Sequence, residues 1–315
     1  MRRPRRDFSL RRPGREGMGA MNGHGGGLAA AGRRGAEMAG RWPGILQARQ
    51  WLYGLRFRTG SFHCGYSGAY ESFEAATRAL PPGMAGFDHA AMTDIDHYTT
   101  VGGGFEPMPA TEYPVLFWLR QAMDGGARSV FDLGGYVGHV FRQYDSYLRF
   151  PEDFRWTVFD VPHVTEAGRR LADRDGIAGL DFTNALDALE SSDVLLAAGS
   201  LQYFREDYLQ EALAARTRRP RHVLVQRTPL HARNSFATIQ SVLTRGGGAS
   251  FCPYTVAGRA RFINGLTALG YRLVDDWEKP RSLDIPFHPE CHVDSYSGLY
   301  FRLADTAREP VRPAG

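Results

Sequence analysis

Lysine is almost missing from these 315 residues: Lys279 is the only one, and the rest of the 38 basic side chains are arginine. We read that bias as codon composition. Set against 34 acidic residues it leaves a net charge of only +4, and no basic patch interleaved with aromatics occurs in the part expected to fold, so no nucleic-acid partner is expected there. Cysteine is scarce as well. Cys64, Cys252 and Cys291 are odd in number and far apart, which argues against a disulfide framework and fits a reducing compartment. Long apolar runs are also lacking, and a bilayer span needs roughly 20 consecutive apolar residues. The twin-arginine-like stretch Arg5-Arg6-Asp7-Phe8 is followed by polar, glycine-rich sequence and not by the apolar segment an export signal requires. A cytoplasmic, soluble protein without a membrane span is the expectation.

What is present suits a globular domain. A content of 43% apolar and 12% aromatic residues can bury a substantial core, and the length fits one α/β domain with additions. Residues 1–44 form an Arg/Gly-rich tail with too little apolar surface to offset the entropy of ordering, and disorder is expected. A helical N-terminal cap is expected over 45–110, with helices at Ile45 to Phe57 and Glu71 to Leu80 and a Gly/Pro loop from Thr99 to Pro109. The α/β domain is expected over 111–305, and a second disordered tail over 306–315.

From Glu112 the apolar pattern becomes regular. A helix with Tyr113, Leu116, Phe117 and Arg120 on one stripe precedes a short strand at Ser129 to Leu133. Further strands are expected at Trp156 to Phe159, Val194 to Ala198 and His222 to Gln226. Between the first two, Val140, Phe141, Tyr144, Tyr147 and Leu148 mark the buried face of a helix. Alternation of this kind indicates βαβ units and a parallel sheet. A helix over Val256 to Leu269 and strands at Tyr271 to Trp277 and Gly298 to Leu303 follow, the last two pairing antiparallel at an edge.

Two features point to a nucleotide. Asp132-Leu133-Gly134-Gly135-Tyr136-Val137-Gly138 lies where a strand turns into a helix, the context in which a glycine-rich turn lets backbone approach a ligand closely. Asp160 ends the next strand, where a carboxylate can accept both hydroxyls of a ribose. A tight structural turn and a helix cap before Pro162 are the plainer roles of the same residues. Neither feature separates adenosylmethionine from a nicotinamide cofactor.

The glycine segment resembles motif I of class I methyltransferases, in the D-x-G-G-x-x-G form of small-molecule O-methyltransferases, and Phe159-Asp160-Val161-Pro162-His163-Val164 resembles the F-D-x-P-H-V element of those enzymes. From about Tyr66 to Leu303 the chain is similar to a family of bacterial methyltransferases of unassigned substrate. The marks are Gly68 to Ala75, Gly199-Ser200-Leu201-Gln202-Tyr203, Gln226-Arg227-Thr228-Pro229 and Tyr296-Ser297-Gly298-Leu299-Tyr300. The resemblance implies a Rossmann-like class I methyltransferase fold, a mostly parallel seven-stranded sheet with helices on both faces, with S-adenosyl-L-methionine as cofactor and a small-molecule, glycan or lipid-precursor acceptor. It implies that Asp132, Gly134, Gly135 and Gly138 serve the amino-acid half of the cofactor, that Asp160 holds the ribose, that Asp181 and Phe182 flank the adenine, and that Ser200 and Gln202 face the methyl group.

One departure matters for chemistry. The O-methyltransferases place a histidine base after the fourth strand, and the matching residue here is Gln202, which cannot take a proton. Acceptors that are already nucleophilic remain, such as carboxylates or free amines, or else a base from elsewhere. His231, His288, His292 and Asp294 are candidates. His288-Pro289-Glu290-Cys291-His292 lacks the second ligand pair of a structural zinc site, and no metal is expected. A lapsed nucleotide-binding module acting as a regulatory protein is the competing reading.

Overall fold

The computed structural model describes residues 43–60, 65–89, 108–244 and 248–304. Most of the expected N-terminal tail, all but the last two residues of the Thr99 to Pro109 loop, Cys64 and the 306–315 tail lie outside the described residues. The chain falls into two compact units, 1–51 and 52–315. In the first, the described residues are helical, in helix α1 (Pro43–Arg58).

The second unit is laid out as β1 (Gly65–Tyr70), α2 (Phe73–Arg78), β2 (Met84–Ala85), α3 (Tyr113–Asp124), β3 (Ser129–Leu133), α4 (His139–Leu148), β4 (Arg155–Phe159), α5 (Pro162–Asp175), β5 (Leu180–Thr183), β6 (Val194–Ala198), α6 (Tyr208–Ala214), β7 (His222–His231), β8 (Phe236–Leu243), β9 (Ala249–Gly258), α7 (Arg259–Ala268), β10 (Tyr271–Lys279) and β11 (Tyr296–Leu303). Strands β5, β4, β3, β6 and β7 run parallel in that spatial order. This is the open, doubly wound arrangement whose order reverses beside the first strand. Strand β11 pairs antiparallel with β7 and carries β10 at the edge, as the sequence leads one to expect.

Neighbouring residues along each central strand point to opposite faces, and both faces are covered. Val130, Val194, Leu196 and Leu224 meet α3 and α4 through Val115, Leu119, Val140 and Tyr144. Phe131, Leu195, Val223 and Phe301 meet α6 and α7 through Leu209, Leu213, Phe262 and Leu266. Burial on both sides explains why these strands read as short apolar runs and not as alternating ones. The stripe expected on α3 is displaced: Tyr113 and Phe117 are exposed, and Val115, Leu116, Leu119, Ala122 and Met123 turn inward.

The sheet has eleven strands among the described residues, where seven are expected from the sequence. Strand β7 is the cause. It pairs with β6 as far as Gln226, bends at Arg227, which takes a positive φ of 58°, and its last residues, Leu230 and His231, pair in parallel with β9. Strands β9, β8 and β1 then form an antiparallel ladder, and β2 adds to β9 in parallel. The region expected as a helical cap therefore contributes two strands as well as helices. Within the second unit, Phe57 is buried against Phe251, and the Tyr53 hydroxyl donates to the Tyr66 carbonyl at 2.6 Å.

Candidate functional site

A cavity of about 580 Å³ opens at the carboxyl ends of β3, β4 and β6, the crevice where an open α/β sheet takes ligands, and its size is that of a small-molecule site. Three turns form one side: Gly134 and Tyr136 after β3, Asp160 and Val161 after β4, and Gly199, Ser200 and Gln202 after β6. The antiparallel ladder and the β10–β11 connection form the other, with Gln240, Cys252, Tyr254, Lys279, Arg281 and Tyr296.

The glycine turn is built for close approach. Gly134 has φ +68°, and a Cβ there would collide with the Ser200 side chain; a Cβ at Gly135 would strike the Asp132 carboxylate. Gly134 N–H donates to the Phe159 carbonyl at 2.7 Å, and the Ser200 hydroxyl donates to the Leu133 carbonyl, so the ends of β3, β4 and β6 are tied together. Tyr136 follows with φ 56°. Side chains rarely accept such a backbone, and of the four described non-glycine residues that do so, Tyr136 and Arg227 line the cavity.

Asp160 is held at the lip by two amides: Tyr136 N–H donates to Oδ2 at 2.9 Å and Val161 N–H to Oδ1 at 2.8 Å. Each carboxylate oxygen has a second acceptor site left for a ligand. Burial raises its pKa, and the two amides oppose the rise. Asp132 is fully buried beneath the turn. Its Oδ2 accepts from Trp156 Nε1 at 3.0 Å, its Oδ1 has no hydrogen-bond partner among the described residues, and burial pushes its pKa up to about 7.

Behind the turn lies an ionic cluster that sequence reasoning missed. Glu112, 3% exposed, accepts from the Tyr144 hydroxyl at 3.0 Å and from Lys279 Nζ at 3.3 Å, with Arg227 Nη1 at 3.9 Å. Arg227 also donates to the Ala198 carbonyl at 2.7 Å. His139, which opens α4 and lines the cavity, is driven down to about 4 by burial and the nearby Arg227 charge, against the pull of Glu112, so it is neutral near pH 7. Its place directly after Gly138 was the available signal. Arg227 and Tyr296 stand in two of the family-like segments without having been given a role at the site, and Lys279 and Arg281 offered no signal, because they come from a strand end and a connection distant in sequence.

The residues expected at the site are distributed as follows. Gly134, Asp160, Ser200 and Gln202 line the cavity. Gly138 is the left-handed N-cap of α4, and Asp132 and Gly135 lie just under the turn. Phe182 is a core residue whose ring fills the space over Gly168, and Asp181 is an exposed residue of β5; neither lines the cavity. His231 also lies outside it, its Nδ1 accepting from Asn234 N–H at 2.9 Å. His292 sits exposed between Asp284 and Asp294, at 2.6 and 3.1 Å. Gln202 lines the cavity with its amide nitrogen donating to the Gly199 carbonyl at 2.7 Å.

No family model matches the chain, and no curated protein does. Solved structures do. The CcbJ methyltransferase from Streptomyces caelestis is 15% identical over 69% of this chain and 99% of its own, with a TM-score of 0.41. Magnesium protoporphyrin IX methyltransferase from Synechocystis PCC 6803, with bound S-adenosylhomocysteine, is 13% identical over 69% and 97%, with a TM-score of 0.42. The 1,6-didemethyltoxoflavin-N1-methyltransferase of Burkholderia thailandensis, holding its substrate and S-adenosylhomocysteine, is 16% identical over 72% and 94%, with a TM-score of 0.40. At such scores a superposition says nothing about substrate or activity.

Proposed function

We propose that the chain is an S-adenosylmethionine-dependent methyltransferase acting on a small molecule. The observation that carries this is Asp160, a carboxylate fixed by the amides of Tyr136 and Val161 at the end of β4, beside a glycine turn at the end of β3 and over a cavity of ligand size. A carboxylate so placed suits a ribose diol, and glycine at 134 and 135 lets the turn pack directly on Ser200 and Asp132, where a side chain would collide. The residues therefore fit the cofactor. When bound, it supplies an electrophilic methyl group on a sulfonium.

In this reading Asp160 holds the sugar, and the turn from Gly134 to Gly138 supports the amino-acid portion. Arg227 and the neutral His139, both on the same side of the cavity, add polar contacts to that portion. Asp181 and Phe182, expected beside the adenine, do not line the cavity, and we assign them no contact with the cofactor. Ser200 keeps the β6 turn against β3, and Gln202 presents an amide and no base to the reacting centre. Methyl transfer is an in-line displacement, so rate comes chiefly from holding the acceptor in attack geometry and excluding water. His231 lies outside the cavity, and we assign it no proton-transfer step.

Calorimetric titration with S-adenosylhomocysteine tests the reading. Binding is expected for the native chain, with a loss of at least roughly tenfold in Asp160→Ala, the effect of removing hydrogen bonds to a charged group. Unchanged affinity in Asp160→Ala, or preferential binding of NAD, would overturn it.

A further inference from the structure

We propose that helix α1 lays an apolar face, edged by arginine, on the surface of an anionic lipid bilayer. None of its residues lines the cavity, and the proposal does not depend on the methyltransferase reading.

Seven large apolar side chains are exposed among the described residues, and four of them, Ile45, Trp51, Leu52 and Leu55, belong to α1. Trp51 is 70% exposed and Leu52 52%. At 3.6 residues per turn these four fall within about 120° of the helix circumference. Tyr53 and Phe57 fall on the other side, where Tyr53 donates to the Tyr66 carbonyl and Phe57 packs on Phe251. A helix that served only to cover the ladder would turn a polar side outward. This one is apolar on both sides, and a contiguous exposed apolar patch marks a surface that meets something.

The charge indicates what it meets. Helix α1 carries Arg49, Arg56 and Arg58 and no acidic residue. By the same helical spacing Arg49 lies beyond Ile45 at one edge of the arc, and Arg58 beyond Trp51 at the other. The first 58 residues hold 13 arginines against three acids, a net +10, whereas the remaining 257 hold 25 basic against 31 acidic residues, a net −6. The positive charge of the chain is therefore concentrated in this helix and the sequence before it.

A second copy laid face to face would set one +10 segment against another, at an electrostatic cost. A nucleic acid would answer the arginines but offers little to Ile45, Leu52 and Leu55. An anionic bilayer answers both: its headgroups take the guanidinium groups, Ile and Leu enter the acyl boundary, and an indole sits at the level between. Arginine stems at the edges of the arc lie along the apolar layer while their heads stay in the polar one. With 16 residues and three arginines, α1 lies along such a surface and does not cross it.

The test is co-sedimentation of the full chain with vesicles of phosphatidylcholine alone and of phosphatidylcholine mixed equally with phosphatidylglycerol. Binding is expected to the second and not to the first, with tryptophan emission shifted to the blue on binding and that shift largely lost in Trp51→Phe. A triple variant, Trp51→Ser with Leu52→Ser and Leu55→Ser, changes only exposed positions and is expected to bind the anionic vesicles at least roughly tenfold more weakly. Phe117→Ser, at an exposed ring of α3, is expected to bind them as the native chain does. No sedimentation with the anionic vesicles overturns the proposal. So does a triple variant that binds them normally, because the arginines would then act without the apolar face. A dimer in sedimentation velocity, or a complex with polyuridylate, formed by a native chain that ignores the vesicles and lost in the triple variant, overturns it in favour of a second copy or a nucleic acid.

Discussion

Asp132 is a buried acid whose environment favours its neutral form. Its pKa stands near 7 in the folded chain against an ordinary value of 3.8, so between those limits the folded state holds a proton that the unfolded state has released. The stabilisation is therefore complete below about pH 4, and is lost as the pH rises through 7. Thermal melts of the native chain from pH 5 to 8 are expected to show this group's contribution falling, and Asp132→Asn, which keeps the hydrogen bond to Trp156 without the titration, is expected to flatten that part of the profile. An equal slope in both would mean that other groups set it. Glu112 acts through its partners. It is ionically partnered on two sides and hydrogen-bonded to Tyr144, and truncating one member of a buried ionic network leaves the others uncompensated. Glu112→Ala is expected to cost about 3 kcal/mol or more in denaturant melts.

The ladder formed by β1, β8 and β9 is the element that turns a strand-end crevice into a walled cavity. Its outer packing rests on Ile239 and Phe251, which are buried with Phe57. Ile239→Ala leaves a void there, expected to destabilise the chain by about 2–5 kcal/mol and to weaken ligands of the ladder side more than those of the glycine turn. The sequence was readable for the parallel half: β3 and β6 occupy Ser129–Leu133 and Val194–Ala198, as expected. It was not readable for the ladder. Phe236–Leu243 interleaves Thr, Gln and Ser with apolar residues and carries no turn signal as strong as Asn-Gly before β9, while the sequence placed the start of the following helix within β9, at Val256. The same limit applied to the site. Gly134 and Asp160 announce themselves through their place after strands, whereas Arg227 and Lys279 enter the cavity through tertiary pairing that no local pattern encodes.

At the scale of the whole molecule, ligand binding and stability are linked by mass action. With S-adenosylhomocysteine at 100 times its dissociation constant, stabilisation of about 2.7 kcal/mol is expected, which for a domain of this size corresponds to a rise in melting temperature of roughly 5–10 °C. A melting temperature indifferent to the compound at millimolar concentration would contradict the methyltransferase reading. No helix among the described residues is long and apolar enough to cross a membrane.

Since Lys279 is both the chain's single lysine and a wall of the cavity, the protein comes with its own reporter. An acylating reagent finds one side-chain amine to label. Peptide mass spectrometry should recover a single adduct at that position, formed more slowly when the chamber is filled, so that occupancy by an unknown metabolite can be followed without knowing what it is.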